Sequence, residues 1–327
     1  MTDVGLLLAG GAGTRLYPAS RRDRPKQFLD FGMERSLLEQ AADRAGFVDE
    51  LYAITRPAYA DRVADLVPEA TVLVEPAPMD TGPALLYAAH EIQERVPDPV
   101  LLCLPSDHVI GEGFRADAEK ALAAARETDG LVTLGIEPTR PATEYGYIEP
   151  GEFEGGVAPV ETFHEKPDEA TAESYVSRGF RWNAGIFAWR PSALFEAARG
   201  TALDPLLVAL DDGDPEAGFE AVPAVSVDDA VLEGARDVYV VPASFQWDDL
   251  GSWDALERLH RGSNAVIGDA LTIDADGNVL ASEDVHVSVL GVEDLVVAAF
   301  DDRVLVVPKD RAQRVRDVVE ALEEERK

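Results

Sequence analysis

Val4-Gly5-Leu6-Leu7-Leu8-Ala9-Gly10-Gly11-Ala12-Gly13-Thr14-Arg15-Leu16 is an apolar run that breaks into glycines and ends on an arginine. Val4–Ala9 is too short and too continuously apolar for an amphipathic helix, and reads as a buried strand. Three glycines in four residues then let the backbone turn sharply and bring its N–H groups close to a ligand. The run is not a P-loop, because no Lys-Ser/Thr pair follows the last glycine. It is not the dinucleotide pattern either, because Leu16 stands where that pattern needs its third glycine. What remains is either a phosphate cradle, with Arg15 adding a forked charge, or a structural strand-to-helix turn.

Outward from this stretch, short apolar runs alternate with amphipathic ones. Leu51–Thr55, Thr71–Glu75, Val100–Leu104 and Leu131–Ile136 read as strands. Ser36–Phe47, Ala58–Leu66, Pro83–Arg95 and Phe114–Glu127 read as helices, Pro83 suiting a first helical turn. That alternation predicts an α/β domain with a Rossmann-like mixed, mostly parallel sheet flanked by helices, with ligands at the carboxyl ends of the strands. Gly146–Arg190 is less regular and β-rich. Pro191–Leu210 is helical, Asp211–Gly218 reads as a loop, and Val238–Pro242 reads as a strand leading into Trp247–Trp253. Around Arg261–Asn264 the pattern changes to β pieces separated by Asp, Gly and Asn: Ala270–Ile273, Val279–Ala281, Val285–Val289, Leu295–Phe300 and Arg303–Val307. A helix over Asp310–Glu325 follows. The expected division is therefore residues 1–262 as one domain and 263–327 as a small, short β-helix or solenoid-like domain ending in a helix. Asp274-x-Asp276-Gly277-Asn278 is a turn and not a calcium loop, because Val285 stands where the twelfth-position acid is needed.

The 327 residues carry 62 acidic and 29 basic side chains, net −33, with five lysines. Such a field repels nucleic acid and anionic membrane, so neither is an expected partner. The same excess suits a halophilic protein working in concentrated salt. No apolar run approaches the roughly 20 residues of a membrane span. Val4 follows no basic lead-in or cleavage signal, which predicts an unexported, cytoplasmic protein. Cys103 is the only cysteine, so an internal disulfide and a zinc cluster are excluded. Against this acidity, Arg15, Arg21, Arg22, Arg24 and Lys26 form a basic island interrupted only by Asp23, either an anion site or a solvated loop.

Two acidic stretches are candidate metal positions. Asp107, in Leu104-Pro105-Ser106-Asp107-His108, either caps a turn or faces a metal-bound phosphate. Trp247-Asp248-Asp249-Leu250-Gly251-Ser252-Trp253 offers a second carboxylate, and one Asp from each stretch could hold Mg²⁺.

Leu8–Leu16 followed by Pro25-Lys26-Gln27-Phe28-Leu29 resembles the signature of sugar nucleotidyltransferases, in the wording of the mannose-1-phosphate guanylyltransferases (GDP-mannose pyrophosphorylases). The resemblance implies the nucleotidyltransferase fold. It also implies transfer of GMP from GTP to mannose-1-phosphate, giving GDP-mannose and pyrophosphate. In that family the glycine loop binds nucleotide, which points to Leu8, Gly10, Gly11, Gly13 and Thr14, with Arg15 and Lys26 on the departing phosphates. The Trp-x-Asp-x-Gly-x-Trp element assigns a metal-ligand role to Asp249, with Asp107 as the other ligand and a nucleotide contact; Asp248 is then a solvated side chain. Thr143-Glu144-Tyr145-Gly146-Tyr147-Ile148, Phe163-His164-Glu165-Lys166-Pro167 and Trp182-Asn183-Ala184-Gly185-Ile186-Phe187 resemble the sugar-side elements. They imply Gly146, Glu165, Lys166 and Asn183 as sugar-phosphate contacts, with Lys166 orienting the attacking phosphate. Two of the five lysines, Lys26 and Lys166, thus fall where anions would bind. Met79-Asp80-Thr81-Gly82-Pro83 stands where the family has Arg-Asn-Thr-Ala-Pro, so Thr81 and Gly82 are implied nucleotide contacts in an altered setting. Glu144 replaces a usual glycine, and the isomerase domain of the bifunctional members has no counterpart. His108 is not needed as a base, since a sugar phosphate is already an anion at neutral pH. The other readings are the same chemistry with glucose-1-phosphate and UTP or dTTP, and a non-catalytic sensor of nucleotide sugars. The tail is also a candidate contact for a homo-oligomer.

Overall fold

The computed structural model describes residues 1–11, 13–260 and 262–324. These form two compact units. One comprises Met1–Gly10, Ala41–Pro105 and Ile110–Trp247; the other comprises Gly11–Gln40, Ser106–Val109 and Asp248–Lys327. Arg261 and Glu325, where the pattern change and the last helix were expected to begin and end, lie outside the described residues.

The first unit is built on a nine-stranded sheet: β1 (Thr2–Leu8), β2 (Glu50–Thr55), β3 (Thr71–Val74), β4 (Pro99–Pro105), β5 (Leu131–Ile136), β6 (Tyr147–Pro150), β7 (Ala158–His164), β8 (Arg181–Trp189) and β9 (Val238–Pro242). Their order is β3-β2-β1-β4-β8-β5-β9-β7-β6. The β3-β2-β1-β4 half is wholly parallel, as expected from its βα alternation. The other half is mixed: β8 runs antiparallel to both β4 and β5, whereas β9 is parallel to β5 and antiparallel to β7. β4 is apolar and buried along nearly its whole length, as a strand inside a covered sheet must be.

α1 (Leu37–Ala45), α2 (Ala60–Leu66), α3 (Thr81–Arg95) and α4 (Phe114–Thr128) fall where the periodicity predicts helices. α3 begins two residues before Pro83, because the Asp80 side chain caps it by accepting from the Thr81 N–H at 2.7 Å. Its apolar face, with Leu85, Leu86, Ala89 and Ile92, enters a core that also holds Leu6, Cys103, Phe187 and Trp189. Within the irregular middle lies α5 (Glu169–Ser177), a helix the β-rich reading does not anticipate, capped by Asp168 on the Thr171 N–H. The helical stretch after Arg190 is two helices, α6 (Pro191–Ala198) and α7 (Asp204–Asp211). The expected loop over Asp211–Gly218 is corrected in its second half, where Asp214 caps α8 (Pro215–Ala221). An Asp before a Pro marks a helix start as readily as a turn.

The second unit contains α9 (Ala255–Leu259) and six short strands: β10 (Ala265–Ile267), β11 (Ala270–Ile273), β12 (Val279–Ser282), β13 (Val287–Leu290), β14 (Leu295–Phe300) and β15 (Arg303–Pro308). β10, β12 and β14 pair in parallel, as do β11 and β13, and β15 returns antiparallel on β14. These are coils of a short β-helix. Buried Asn278 fixes them: it donates to Asn264 Oδ1, Asp276 O and Val292 O, and accepts from the Leu295 N–H. The Asp276-Gly277-Asn278 turn is thus a structural turn. A 3₁₀ stretch (Lys309–Arg314) precedes α10 (Val315–Glu324).

This unit cuts across the expected chain-order division at residue 262. Leu16, Ala19, Leu29 and Phe31 share one apolar core with Trp253, Val279, Val296 and Phe300, so burial groups the glycine-loop segment with the β-helix. The basic island is largely absorbed here too. Arg24 forms a fork on Glu283 at 2.6 and 2.5 Å, and Arg21 pairs with Asp301 at 2.6 Å. These two guanidinium groups tie the segment to β-helix carboxylates and are not an anion site.

Candidate functional site

β1 and β4 are parallel neighbours with Leu8 opposite Pro105. Both strands end by passing the chain into segments that carry predicted site residues. After β1, Gly13 has φ +59°, a conformation that favours glycine, and a Cβ there would lie 2.5 Å from Lys26 Cβ. Gly13 is therefore needed twice, for its torsion and for its contact with Lys26. Ser20 Oγ donates to Gly13 O, and Gln27 Nε2 donates to Gly11 O at 3.0 Å. Thr14 opens the 3₁₀ turn that carries Arg15, and Lys26 opens another.

Lys26 is buried, with its ammonium 2.6 Å from Asp249 O and 2.8 Å from Asp107 Oδ2. Arg15 reaches Asp249 Oδ2 at 3.9 Å and keeps 44% of its side-chain surface exposed. Arg15, Lys26, Asp107 and Asp249, which the sequence names from four separate stretches, are thus one charged cluster. Burial pushes the Asp107 carboxyl up, but Lys26 and His108 outweigh it and hold it below its ordinary range.

Asp249 is held by its neighbours in the chain. Its Oδ1 accepts from Gly251 N–H at 3.1 Å, while Asp248 Oδ1 accepts from Leu250 N–H at 2.9 Å. Leu250 adopts φ +45°, a conformation costing of order 1 kcal/mol for a leucine. A Cβ on Gly251 would come within 2.6 Å of Asp249 Oδ2. The expectation of a solvated Asp248 is corrected. It is buried and takes Arg258 Nε at 2.6 Å and Nη2 at 3.1 Å. Two adjacent aspartates look alike in sequence, and only the fold shows which one the protein consumes.

Asp107 and Asp249 fit Mg²⁺. Both offer hard oxygens, Lys26 links the Asp107 carboxylate to the Asp249 backbone carbonyl, and Mg²⁺ commonly takes one or two carboxylates and fills its remaining positions with water and phosphate. That fits a pair better than a closed cage; among the described residues no group of three or more His, Cys, Asp or Glu could hold a metal ion.

In the first unit, Gly10 lies against Glu75: a Cβ on Gly10 would come 3.0 Å from Glu75 Oε1. Glu75 is buried, 3.7 Å from Arg56 Nε, and burial pushes its carboxyl up to about 7. It follows β3, at the carboxyl end of the parallel half-sheet, where the ligand rule applies; the sequence reading passed it over as the last residue of a strand. Asp80 has φ +73° and ψ −175°, nearly glycine-only territory, so this departure from the family's wording is also strained. Thr81 Oγ1 accepts from Val227 N–H at 3.0 Å and Gly82 N–H donates to Val225 O at 3.0 Å. Both are engaged with the 225–227 segment.

Gly146, Glu165, Lys166 and Asn183 also come together. A Cβ on Gly146 would meet Glu165 Oε2 at 2.5 Å, and Asn183 N–H donates to Gly146 O at 2.9 Å. Lys166 pairs with Glu165, has φ +43°, and leaves 62% of its side chain exposed. Desolvation lowers its pKa, but Glu165, Asp229 and Asp228 outweigh it, so the ammonium stays charged. Asp228 is the member the sequence did not disclose. It accepts from Asn183 Nδ2 at 2.7 Å from a π-helical turn, 45 residues away in the chain. Burial and the Glu165 charge push its carboxyl up to about 7. Lysine retention alone is not a site signal: Lys309 holds Gly277 O, Asp294 and Glu257 within the β-helix region.

Residues 4–265 match the family model described as nucleotidyl transferase. The chain belongs to the nucleotidyl transferase family. Residues 268–322 match the MannoseP isomerase/GMP-like beta-helix domain. Xanthan biosynthesis protein XanB of Xanthomonas campestris pv. campestris is 39% identical across 98% of this chain and 73% of its own length. Mannose-1-phosphate guanylyltransferase of Escherichia coli K12 is 34% identical across 97% of this chain and 73% of its own. A crystal structure described as mannose-1-phosphate geranyltransferase from Thermus thermophilus superposes with a TM-score of 0.92 at 39% identity, covering 99% of this chain and all of that one. The chain is a nucleotidyltransferase enzyme with the nucleotidyltransferase fold and a C-terminal β-rich domain.

Proposed function

We propose that this nucleotidyltransferase moves GMP from GTP to mannose-1-phosphate, giving GDP-mannose and pyrophosphate. The observation that carries the reading is the convergence of Arg15, Lys26, Asp107 and Asp249, two cations and two carboxylates on one set of loops. The names of the relatives supply the substrates. Glu75 supports guanine. A carboxylate beside Gly10 suits the adjacent N1–H and N2–H donors of guanine's Watson–Crick edge, a pair that adenine, cytosine, uracil and thymine do not present.

In this reading a phosphate oxygen of the sugar phosphate attacks the α-phosphorus of GTP. The new O–Pα bond forms as the Pα–O–Pβ bond breaks, and pyrophosphate leaves with the electron pair. No proton moves, so no general base is needed. Arg15 and Lys26 stabilise the departing charge, and Lys166, with Asn183, orients the attacking sugar phosphate. Asp107 and Asp249 would hold Mg²⁺, which supplies charge neutralisation along the phosphates. The net charge of −33 supports a protein that works in the concentrated salt of a cytoplasm.

The test is pyrophosphate release by purified protein with Mg²⁺ in molar potassium chloride, over four nucleoside triphosphates and a panel of sugar 1-phosphates. A maximum at GTP with mannose-1-phosphate is expected. A maximum at another pair keeps the chemistry and refutes these substrates. No release from folded protein refutes both.

A further inference from the structure

The amide of Asn183 has a fixed orientation. Its Oδ1 accepts from Thr133 Oγ1 at 2.9 Å and from Gly185 N–H at 3.2 Å, which fills both acceptor sites. One of its two N–H groups donates to Asp228 Oδ1 at 2.7 Å. Turning the amide over would set its NH₂ against the Gly185 N–H and its oxygen against the Asp228 carboxylate, losing both of those bonds; only the Thr133 hydroxyl, which can also accept, would keep a partner. Among the described residues, Asn183 is thereby left with one N–H donor to offer. The two other partners, the Thr133 hydroxyl and the Gly185 N–H, both come from strands of the sheet, β5 and β8. Asp228 is different. It comes from a π-helical turn, a rare conformation frequent at functional sites, and from no part of the sheet. The charged groups facing it are Glu165 and Lys166, both in the sugar-side set, and Glu233 from the same turn accepts from Glu165 N–H at 3.2 Å. The turn thus contacts two of the four sugar-side residues by hydrogen bonds.

We propose that Asp228 is a positioning residue for the sugar phosphate, acting through Asn183 by holding its amide so that the remaining N–H faces the sugar. This rests on the nucleotidyl-transfer reading above. The role is that of an acceptor and not of a charge. A neutral isostere therefore keeps it, and a truncation loses it, because the Asn183 NH₂ then has no acceptor to aim it while its oxygen stays on Thr133 and Gly185.

The test is a kinetic double-mutant cycle in the full chain, preceded by thermal unfolding of each variant to confirm folding. Asn183→Ala and Asp228→Ala are each expected to raise KM for the sugar 1-phosphate about 30-fold, with KM for the nucleoside triphosphate changed less than about threefold. Asn183→Ala/Asp228→Ala is expected to be no worse than the more damaged single variant, because both changes remove the same contact. Asp228→Asn, whose Oδ1 still accepts, should recover most of the loss. Multiplying losses in the double variant, or an Asp228→Asn as damaged as Asp228→Ala, would overturn the inference while leaving the transfer reading intact. A wild-type chain that transfers to no sugar 1-phosphate would instead remove the reading on which the inference rests.

Discussion

The cluster around Lys26 and the cluster around Asn183 solve opposite electrostatic problems. At Lys26 every carboxylate meets a cation: Asp107 meets the buried ammonium and Asp249 meets Arg15. Asp107 consequently stays ionised below its ordinary range. At Asn183 acid is in surplus. Glu165, Asp228 and Asp229 share one mostly exposed lysine, and Asp228 is pushed up to about 7. The first arrangement balances each carboxylate with a cation, as the proposed phosphate and Mg²⁺ roles require. The second sets hydrogen bonds on an amide amid a surplus of acid, with one largely exposed ammonium paired to Glu165. Geometry is set differently as well. The first cluster depends on Gly13 and Gly251, where a methyl group would strike Lys26 or Asp249; the second depends on Gly146, where it would strike Glu165.

The largest expected effect breaks the first cluster. Asp107→Asn and Asp249→Asn should each lower kcat by a factor of about 100 or more in pyrophosphate release at saturating Mg²⁺. Unchanged turnover would remove both from the metal role. Next comes Asp248, the aspartate consumed by the fold. Asp248→Ala should cost about 1–2 kcal/mol of stability in denaturant unfolding, since the buried Leu250 N–H loses its acceptor and Arg258 loses one of its carboxylates. A variant as stable as wild type would show that the pair with Arg258 contributes little. A smaller effect separates the clusters. Gly146→Ala should displace Glu165 and lower kcat/KM for the sugar 1-phosphate about tenfold, leaving KM for GTP nearly unchanged. Equal damage to both substrates would contradict the assignment of Gly146 to the sugar side.

The smallest expected effect is in pH dependence. The folded-state pKa of Asp228, about 7, lies above the ordinary value of 3.8. The folded protein therefore holds that proton more tightly than the unfolded chain does. Its contribution to stability is fully present at low pH and is lost as pH rises from about 4 to about 7. Asp228→Asn should flatten the melting temperature over that window, where wild type declines more steeply. Parallel profiles would show that Asp228 is not desolvated in solution.

How legible these features were depended on chain distance. The parallel half of the sheet could be read because its signal is local: apolar runs of strand length between amphipathic helices of 7–15 residues. The grouping of Arg15, Lys26, Asp107 and Asp249 could be anticipated because each lies in a compact motif that resembles a family element, though the residues alone left other readings open. α5 and α8 were missed because their caps, Asp168 and Asp214, sit in stretches whose Asp, Gly and Pro content reads as loop. Asp228 and Glu75 were missed for a different reason. Nothing beside them in sequence distinguishes them from the other acids of so acidic a chain. Their meaning comes from burial and from partners such as Asn183 and Gly10, which only the fold brings near. The same limit applies to Arg21 and Arg24, whose carboxylate partners lie 280 and 259 residues away.

The proposed transfer needs a sugar-phosphate acceptor, whereas hydrolysis of the nucleotide would need none. The dependence of pyrophosphate release on the sugar phosphate decides between them, measured with GTP and Mg²⁺ at high salt while mannose-1-phosphate is raised from zero. Transfer predicts no release without the sugar phosphate, saturation as it is added, and one GDP-mannose formed per pyrophosphate. Release that proceeds at the same rate without mannose-1-phosphate, or that yields GMP in place of GDP-mannose, would contradict it.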